Sequence, residues 1–96
     1  MKRIASIQDV SCLGRCSQTV ALPVVSAMGV ECAILPTAVL STHTSFPDFR
    51  CTDLTDQLLP IARHWKAQGV KFDALYTGYL ASDRQVAVVL ELLELL

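Results

Sequence analysis

Thr37-Ala-Val-Leu-Ser-Thr-His-Thr44 is the stretch of sequence that decides the fold. Residues 34–40 form an apolar run that includes β-branched residues, which predicts a buried strand. The run ends abruptly at residues 41–45, where five hydroxyl or imidazole side chains follow one another. In an open α/β sheet, ligands bind in the crevice outside the carboxyl ends of the strands. These residues therefore predict a ligand site at the end of a sheet strand.

Two further apolar segments have the same form. Residues 4–7 predict a short strand that ends beside Asp9, and residues 72–76 predict another strand that is followed by polar and small residues. The strand at residues 31–40 contains Pro36 near its middle. Because proline cannot donate a ladder hydrogen bond, Pro36 predicts an irregularity or a bulge.

The first predicted helix covers residues 17–28. Ser17 or Thr19 can act as its N-cap, and Gly29 follows its end in the position that favours glycine. Pro23 lies inside this segment, where it removes a backbone donor. We therefore expect the regular helix to begin late or to bend.

Two more helices are predicted nearer the end of the chain. Residues 51–68 form an amphipathic pattern with Asp53 near its positive end, and Pro60 predicts a kink or two shorter helices. The last helix begins near Asp83, and the leucines in residues 86–96 point nearly all round it. A helix of that kind is normally buried on more than one side.

The order of these elements, β-α-β-α-β-α, predicts the α/β class with one sheet. Right-handed crossovers make such a sheet parallel and bring all three strand ends to one rim. That rim would collect residues 9–14, 41–45 and 77–79. The convergence of three polar loops is the structural reason to expect a site there.

Composition excludes several classes of protein. The chain has 96 residues, of which 52% are hydrophobic and 18% charged, so disorder is not expected. Its net charge is −1 without a basic stripe, which argues against a nucleic-acid partner. No apolar stretch approaches the ~20 residues that span a bilayer, and no signal peptide is visible, so we expect a cytosolic protein without a membrane partner.

The four cysteines are Cys12, Cys16, Cys32 and Cys51, and their spacing fits neither a zinc ribbon nor a C-x-x-C motif. Reduced thiols are the expected state, and no metal site is predicted. A reactive pair formed by Cys12 and Cys16 remains an alternative, which would need a lowered thiol pKa.

The polar residues of the rim allow more than one interpretation. Asp9 suits a hydrogen bond to a polar ligand or to a nearby backbone amide. His43 could act as a base, a ligand or a spacer, although a lone histidine beside threonines more often orients a loop. Tyr79 could lie over an aromatic ligand or simply cover the sheet edge. The loop at residues 9–17 precedes a helix N-terminus, but it lacks the Walker and dinucleotide-binding patterns.

At these same residues the chain resembles the pyridoxal/pyridoxamine kinases of the ribokinase-like superfamily. The resemblance runs over all 96 residues and rests on these segments: Ile7-Gln8-Asp9, Gly14, Met28-Gly29-Val30, Thr37 through Thr44, and Thr77-Gly78-Tyr79-Leu80-Ala81-Ser82. It implies a three-layer α/β/α sandwich, of which this chain is the N-terminal part. It also implies a homodimer that phosphorylates the 5′-hydroxymethyl group of pyridoxal, pyridoxamine or pyridoxine with ATP and Mg²⁺.

The resemblance also implies a set of substrate-binding residues and no catalytic residue. Polar contacts to the vitamer ring would come from Asp9 and Thr44, with Ser45 and His43 beside them, and the ring would be walled by Ala38, Leu40 and Tyr79. Many family members carry Ser where Asp9 stands, and some carry an aromatic residue where Leu40 stands. These departures keep the related hydroxymethylpyrimidine kinases as an alternative.

No Gly-Thr-Gly-Asp motif, which would form the anion hole and the catalytic Asp of this superfamily, is present in the sequence. Because phosphoryl transfer depends on positioning and on charge stabilisation of the γ-phosphoryl group, we expect residues 1–96 to be inactive alone and to form the substrate side of a single kinase domain. The rival interpretation is a complete, non-catalytic binding module. Such a module would use the leucine-rich final helix as its partner surface.

Overall fold

The computed structural model describes residues 2–13, 18–78, 80 and 82–96, without the side chain of Thr19. The described strands and helices follow in chain order: β1 Arg3–Ser11, α1 Gln18–Ala27, β2 Glu31–Leu40, β3 Cys51–Asp53, α2 Thr55–Ala67, β4 Ala74–Thr77 and α3 Asp83–Leu95.

The sheet has the strand order β3-β2-β1-β4. Strand β1 lies in the centre and pairs in parallel with both β2 and β4, while β3 pairs antiparallel with the end of β2. The prediction of an α/β fold with a mainly parallel sheet is therefore confirmed. The predicted order β-α-β-α-β-α lacks one strand, because the structure inserts β3 between β2 and α2.

Strand β3 corrects the predicted helix over residues 51–68. Cys51–Asp53 pairs with residues 38–40 of β2, so these three residues extend the sheet edge instead of starting a helix. The helix begins at Thr55, where the Asp53 carboxylate accepts hydrogen bonds from the Thr55 amide at 2.8 Å and the Thr55 hydroxyl at 2.5 Å. Pro60 lies inside the single helix α2, so the prediction of two shorter helices is wrong.

The bulge predicted from Pro36 is present. Gln8 pairs with Pro36, whereas Val10 pairs with Val39, so β2 carries one residue more than β1 across this interval. The irregularity falls where proline cannot donate to the ladder. It also shifts the register just before the polar loop that follows β2.

The ends of three other elements differ from their predicted positions. Strand β1 continues to Ser11, so Asp9 lies inside a strand and not beyond it. Strand β4 begins at Ala74, and Phe72 packs instead against Trp65 with ring centroids 5.2 Å apart. Helix α1 begins at Gln18 and contains Pro23, so it does not begin late. The predicted caps Ser17 and Thr19 lie outside the described side chains.

The helices form two layers on opposite faces of the sheet. Alternate residues of β1 point to opposite faces. Ile7 belongs to the main core, which α2 and α3 cover and which consists of Ile7, Leu35, Leu58, Ala62, Val89 and Leu92. Ile4 and Gln8 instead line a cavity beneath α1. This arrangement confirms the three layers of an α/β/α sandwich. None of the described helices is long and apolar enough to cross a membrane.

Candidate functional site

The carboxyl ends of β1 and β2 lie side by side. The Cys12 amide donates to the Leu40 carbonyl at 2.8 Å, and the Leu13 amide donates to the Ser41 carbonyl at 3.2 Å. The carboxyl end of β4 joins them, because the Gly78 amide donates to the Ile7 carbonyl of β1 at 3.1 Å. The described parts of the three predicted loops therefore share one rim of the sheet.

The loop that follows β2 is closed at its base by two hydrogen bonds. The Ser41 amide donates to the Arg50 carbonyl at 2.8 Å, and the Arg50 amide donates to the Ser41 hydroxyl at 2.8 Å. Asp48 in this loop has a positive φ of 54°, a conformation that aspartate tolerates better than most residues. The base of the loop is thus fixed next to the sheet, while the residues between its ends are largely exposed.

His43 is held by contacts within this loop. Its Nδ1 atom hydrogen-bonds to the Ser45 hydroxyl, and its ring meets Phe46 edge to face with centroids 4.7 Å apart. Its carbonyl accepts from the Thr42 hydroxyl at 3.1 Å and from the Phe46 amide at 3.2 Å. These contacts favour the interpretation that His43 orients the loop, with Nε2 as the ring nitrogen that can meet a ligand.

The other predicted site residues occupy the ends of β1 and β2 and the loop after β2. Asp9 is half-buried in β1, Ala38 is half-buried in β2, and Leu40 is buried at the end of β2. Thr44 and Ser45 are exposed.

Three other residues named from the sequence, Tyr79, Gly14 and Cys16, lie outside the described residues, so their predicted roles stay predictions. Cys12, Cys32 and Cys51 are free cysteines, and burial raises the pKa of the Cys32 thiol.

A buried group of amide side chains supports the rim from below, and sequence reasoning missed its role. The Gln18 side-chain amide donates to the backbone carbonyls of Ser6 at 2.7 Å and Gln8 at 3.4 Å. The Gln8 side-chain amide donates to the Ser6 hydroxyl at 3.0 Å. Both glutamines are more than 90% buried, with 2% and 6% of their surface exposed. The signal in the sequence was a glutamine inside an apolar strand and another at the start of an apolar helix.

Gly78 lies directly against this group. A Cβ atom at Gly78 would lie 2.7 Å from Gln8 Oε1 and 2.9 Å from Gln8 Cγ, closer than such atoms approach. A side chain at this position would force the buried Gln8 side chain to move where the end of β4 passes it. Gln8 thus links α1, β1 and the end of β4 beneath the rim.

The arrangement suits the binding of a small polar molecule. Hydroxyl, imidazole and carboxylate groups gather at the rim formed by the carboxyl ends of the strands. In open α/β sheets, ligands bind in the crevice outside these strand ends. Within the described ranges, no group of three or more His, Cys, Asp or Glu side chains could hold a metal ion. The described residues can therefore bind and orient a ligand through hydrogen bonds.

Two proteins of known structure share substantial sequence with the chain. One is a protein from Bacteroides thetaiotaomicron described as a phosphomethylpyrimidine kinase, with 48% identity and a TM-score of 0.94 over 97% of this chain and 32% of that chain. A second crystal form of that description contains pyridoxal and matches with a TM-score of 0.91. The other is pyridoxal kinase from Lactobacillus plantarum, with 34% identity and a TM-score of 0.90 over 98% of this chain and 34% of that chain.

A more distant structure shares the fold alone. Pyridoxal kinase from Leishmania donovani, in complex with ADP and pyridoxamine, is 22% identical with a TM-score of 0.84, over 99% of this chain and 36% of that chain. The chain thus spans about a third of the length of the kinases that it matches. No family model and no curated protein matches it.

Proposed function

We propose, because this chain is similar in sequence and fold to a segment of a pyridoxal kinase, that the protein to which it belongs phosphorylates the 5′-hydroxymethyl group of a vitamin B6 vitamer with ATP. The observation that carries the proposal is the 34% identity to a pyridoxal kinase over 98% of the chain. The shared rim of three strand ends supports it, since Asp9, Ala38, Leu40 and the His43–Ser45 loop segment lie at two of those strand ends.

The role of this chain is to bind and orient the vitamer. Asp9 and Thr44 would take the polar groups of the pyridine ring, and Ser45 would hold His43 in the loop beside them. Ala38 and Leu40 would wall the ring, together with Tyr79. Fixing the acceptor hydroxyl in one orientation lowers the entropic part of the barrier for its later attack on phosphorus.

The other substrate of the reaction needs residues from elsewhere. ATP supplies the phosphoryl group, and Mg²⁺ neutralises the charge that develops during transfer. No group of three or more His, Cys, Asp or Glu side chains comes together among the described residues, and the sequence contains no Gly-Thr-Gly-Asp motif. We therefore propose that these 96 residues are the N-terminal, substrate-side part of one kinase domain, and that the rest of the domain holds ATP, Mg²⁺ and the catalytic groups.

Two further properties follow from the resemblance. We propose that the whole kinase is a homodimer and that it is cytosolic. The free cysteines Cys12, Cys32 and Cys51 suit a reducing compartment.

A hydroxymethylpyrimidine kinase is the second candidate. It is favoured by the 48% identity to a protein described as a phosphomethylpyrimidine kinase. Asp9, where many pyridoxal kinases carry Ser, and Leu40, where some carry an aromatic residue, also keep this candidate open. The crystal form of that relative that contains pyridoxal is the reason to place the B6 vitamers first.

The test is a substrate panel with the full-length kinase. ATP-dependent phosphorylation of pyridoxal, pyridoxamine, pyridoxine and hydroxymethylpyrimidine is measured under the same conditions. We expect turnover of at least one B6 vitamer with a higher kcat/KM than hydroxymethylpyrimidine. Turnover of hydroxymethylpyrimidine without any B6 vitamer would replace the proposed vitamer kinase by the hydroxymethylpyrimidine kinase. If no compound of the panel were phosphorylated, both proposals would be wrong.

A further inference from the structure

The loop after β2 presents two residues of the vitamer site in a single β-turn. The Phe46 amide donates to the His43 carbonyl at 3.2 Å, which closes a four-residue turn over residues 43–46. Thr44 and Ser45 are the two central residues of this turn, and both are exposed. The first and last residues of the turn therefore determine where Thr44 stands relative to the end of β2.

The side chains of these two end residues also meet. The His43 and Phe46 rings lie with centroids 4.7 Å apart and planes inclined by 65°, an edge-to-face arrangement. Aromatic rings favour this geometry because the positive edge of one ring faces the negative face of the other. The turn is thus closed twice, once through its backbone and once through the two rings.

The two contacts on the His43 ring restrain it in different ways. The Ser45 hydroxyl hydrogen-bonds to Nδ1, and one hydrogen bond at a corner of the ring leaves the ring free to tilt about that bond. The Phe46 ring contacts the imidazole ring itself, so it opposes this tilt. Together the two contacts specify the direction of Nε2, the nitrogen that can meet a ligand.

Burial in the core does not account for Phe46. Its side chain is 43% exposed and lies outside the main core that α2 and α3 cover. Phe49 in the same loop is 39% exposed, but it takes part in no ring pair among the described residues. The two phenylalanines are therefore alike in loop, size and exposure, and they differ in the contact with His43.

We propose that Phe46 is a positioning residue of the vitamer site, because its ring fixes the imidazole of His43 within the turn over residues 43–46. Phe46 acts through His43 and not by touching the vitamer. The inference rests on the proposed function in one respect, that the rim is where the kinase binds its substrate. Its consequence is a change in KM, since a misoriented imidazole weakens the binding of substrate and transition state alike.

Steady-state kinetics of the full-length kinase separate the ring contact from apolar bulk. Phe46→Leu keeps an apolar side chain without a ring, and Phe46→Tyr keeps the ring. We expect Phe46→Leu to raise KM for pyridoxal about twofold to tenfold with little change in kcat, the range that one aromatic pair accounts for. Phe46→Tyr should keep KM near the wild-type value, and Phe49→Leu, the matched control, should leave it unchanged. An unchanged KM for Phe46→Leu, or an equal rise for Phe49→Leu, would overturn the inference.

A double-mutant cycle with His43→Ala distinguishes a positioning role from a direct contact. If Phe46 acts through His43, Phe46→Leu should raise KM little further once the imidazole is absent. The same fold-change in KM in both backgrounds would show that Phe46 meets the vitamer itself, which would contradict the positioning role. If hydroxymethylpyrimidine is the only compound that is phosphorylated, the same comparisons are made with that compound.

The ring signals of His43 give a readout that does not depend on activity. Proton NMR of the ligand-free, full-length kinase is used, and His43→Ala assigns the signals. Phe46→Leu should shift the imidazole protons more than Phe49→Leu does, because the ring current of Phe46 is lost. Equal shifts for the two variants would show that Phe46 does not hold His43. A kinase that shows the expected shift but phosphorylates no compound of the panel would count against the proposed function alone.

Discussion

At the scale of single residues, Gln8 and Gly78 control how the end of β4 meets the rest of the rim. We predict that Gly78→Ala destabilises the protein by about 1–3 kcal/mol, as expected for overpacking a filled site. The physical reason is the 2.7 Å approach of the new Cβ atom to Gln8 Oε1, which would force a buried amide side chain out of position. Urea unfolding measures the loss.

A second substitution, at Gln8, provides the control for Gly78→Ala. Gln8→Ala removes the side-chain atoms with which the new Cβ would collide, so Gly78→Ala should cost less in that background. A double-mutant cycle separates this coupling from other effects of the substitution. Equal costs in both backgrounds would show that Gln8 is not the reason for glycine at this position.

His43 tests how the loop takes part in function. Because Ser45 and Phe46 hold its ring, we predict that His43→Ala raises KM for the vitamer and changes kcat little in the full-length kinase. Ser45→Ala should have the same effect in smaller measure, since it removes one of these contacts. Steady-state kinetics with pyridoxal provide the measurement. A fall in kcat of about 10²–10⁴ with an unchanged KM would identify His43 as a general acid or base.

The polar residues of the rim could be predicted because they interrupt the sequence where apolar strands end. Thr44 and Ser45 are visible in this way. Gln8 and Gln18 are not, because their importance comes from contacts between a strand and a helix whose residues are ten and twelve positions apart in the chain. Only the folded backbone brings the Ser6 carbonyl to the Gln18 amide.

At the scale of elements, α3 contains two neighbouring leucines in opposite environments. Leu92 is fully buried in the core, whereas Leu93 is 56% exposed. We predict that Leu92→Ala costs about 2–5 kcal/mol of unfolding free energy in the 96-residue chain, because it leaves a cavity. Leu93→Ala, the matched control, should cost about 0.5 kcal/mol or less. Similar costs for the two variants would contradict the described orientation of α3.

The start of α2 depends on an ionised Asp53. Hydrogen bonds from the Thr55 side chain and backbone lower the pKa of this carboxyl group. A lowered pKa in the folded state adds stability at neutral pH, and this contribution is lost as pH falls through the folded-state pKa.

We therefore predict that Asp53→Ala lowers Tm at pH 7 and that its difference from the wild type shrinks as pH falls below the ordinary aspartate pKa of about 3.9 and through the lower folded-state pKa. Asp53→Asn keeps an acceptor but not the charge, so its Tm at pH 7 should lie between those of the wild type and Asp53→Ala. A Tm difference that does not change with pH would show that the charge of Asp53 does not contribute.

The elements were predictable where periodicity was strong and failed where it was interrupted. Strand β2 has the bounds expected from its apolar run, and α3 begins near Asp83 as expected. Cys51–Asp53 was missed because three residues are too few to show a period, and their pairing with β2 depends on distant sequence. The prediction of two shorter helices at Pro60 failed for another reason. Packing of α2 on the core outweighs the loss of one backbone hydrogen bond at this proline.

At the scale of the whole molecule, the order of strands and helices was enough to predict a mainly parallel sheet with its strand ends at one rim. The general preference for right-handed crossover connections between strands is the basis of that prediction. What the order could not give is the antiparallel β3 at the far edge.

The most direct test of the central claim is a titration of the full-length kinase with pyridoxal, followed by backbone NMR. We predict chemical-shift changes concentrated at residues 9–13, 41–45 and 77–78, the described parts of the three strand ends. Saturable binding that leaves these residues unchanged and instead shifts residues around the cavity beneath α1, such as Val24 and Tyr76, would contradict the assignment of the rim as the vitamer site.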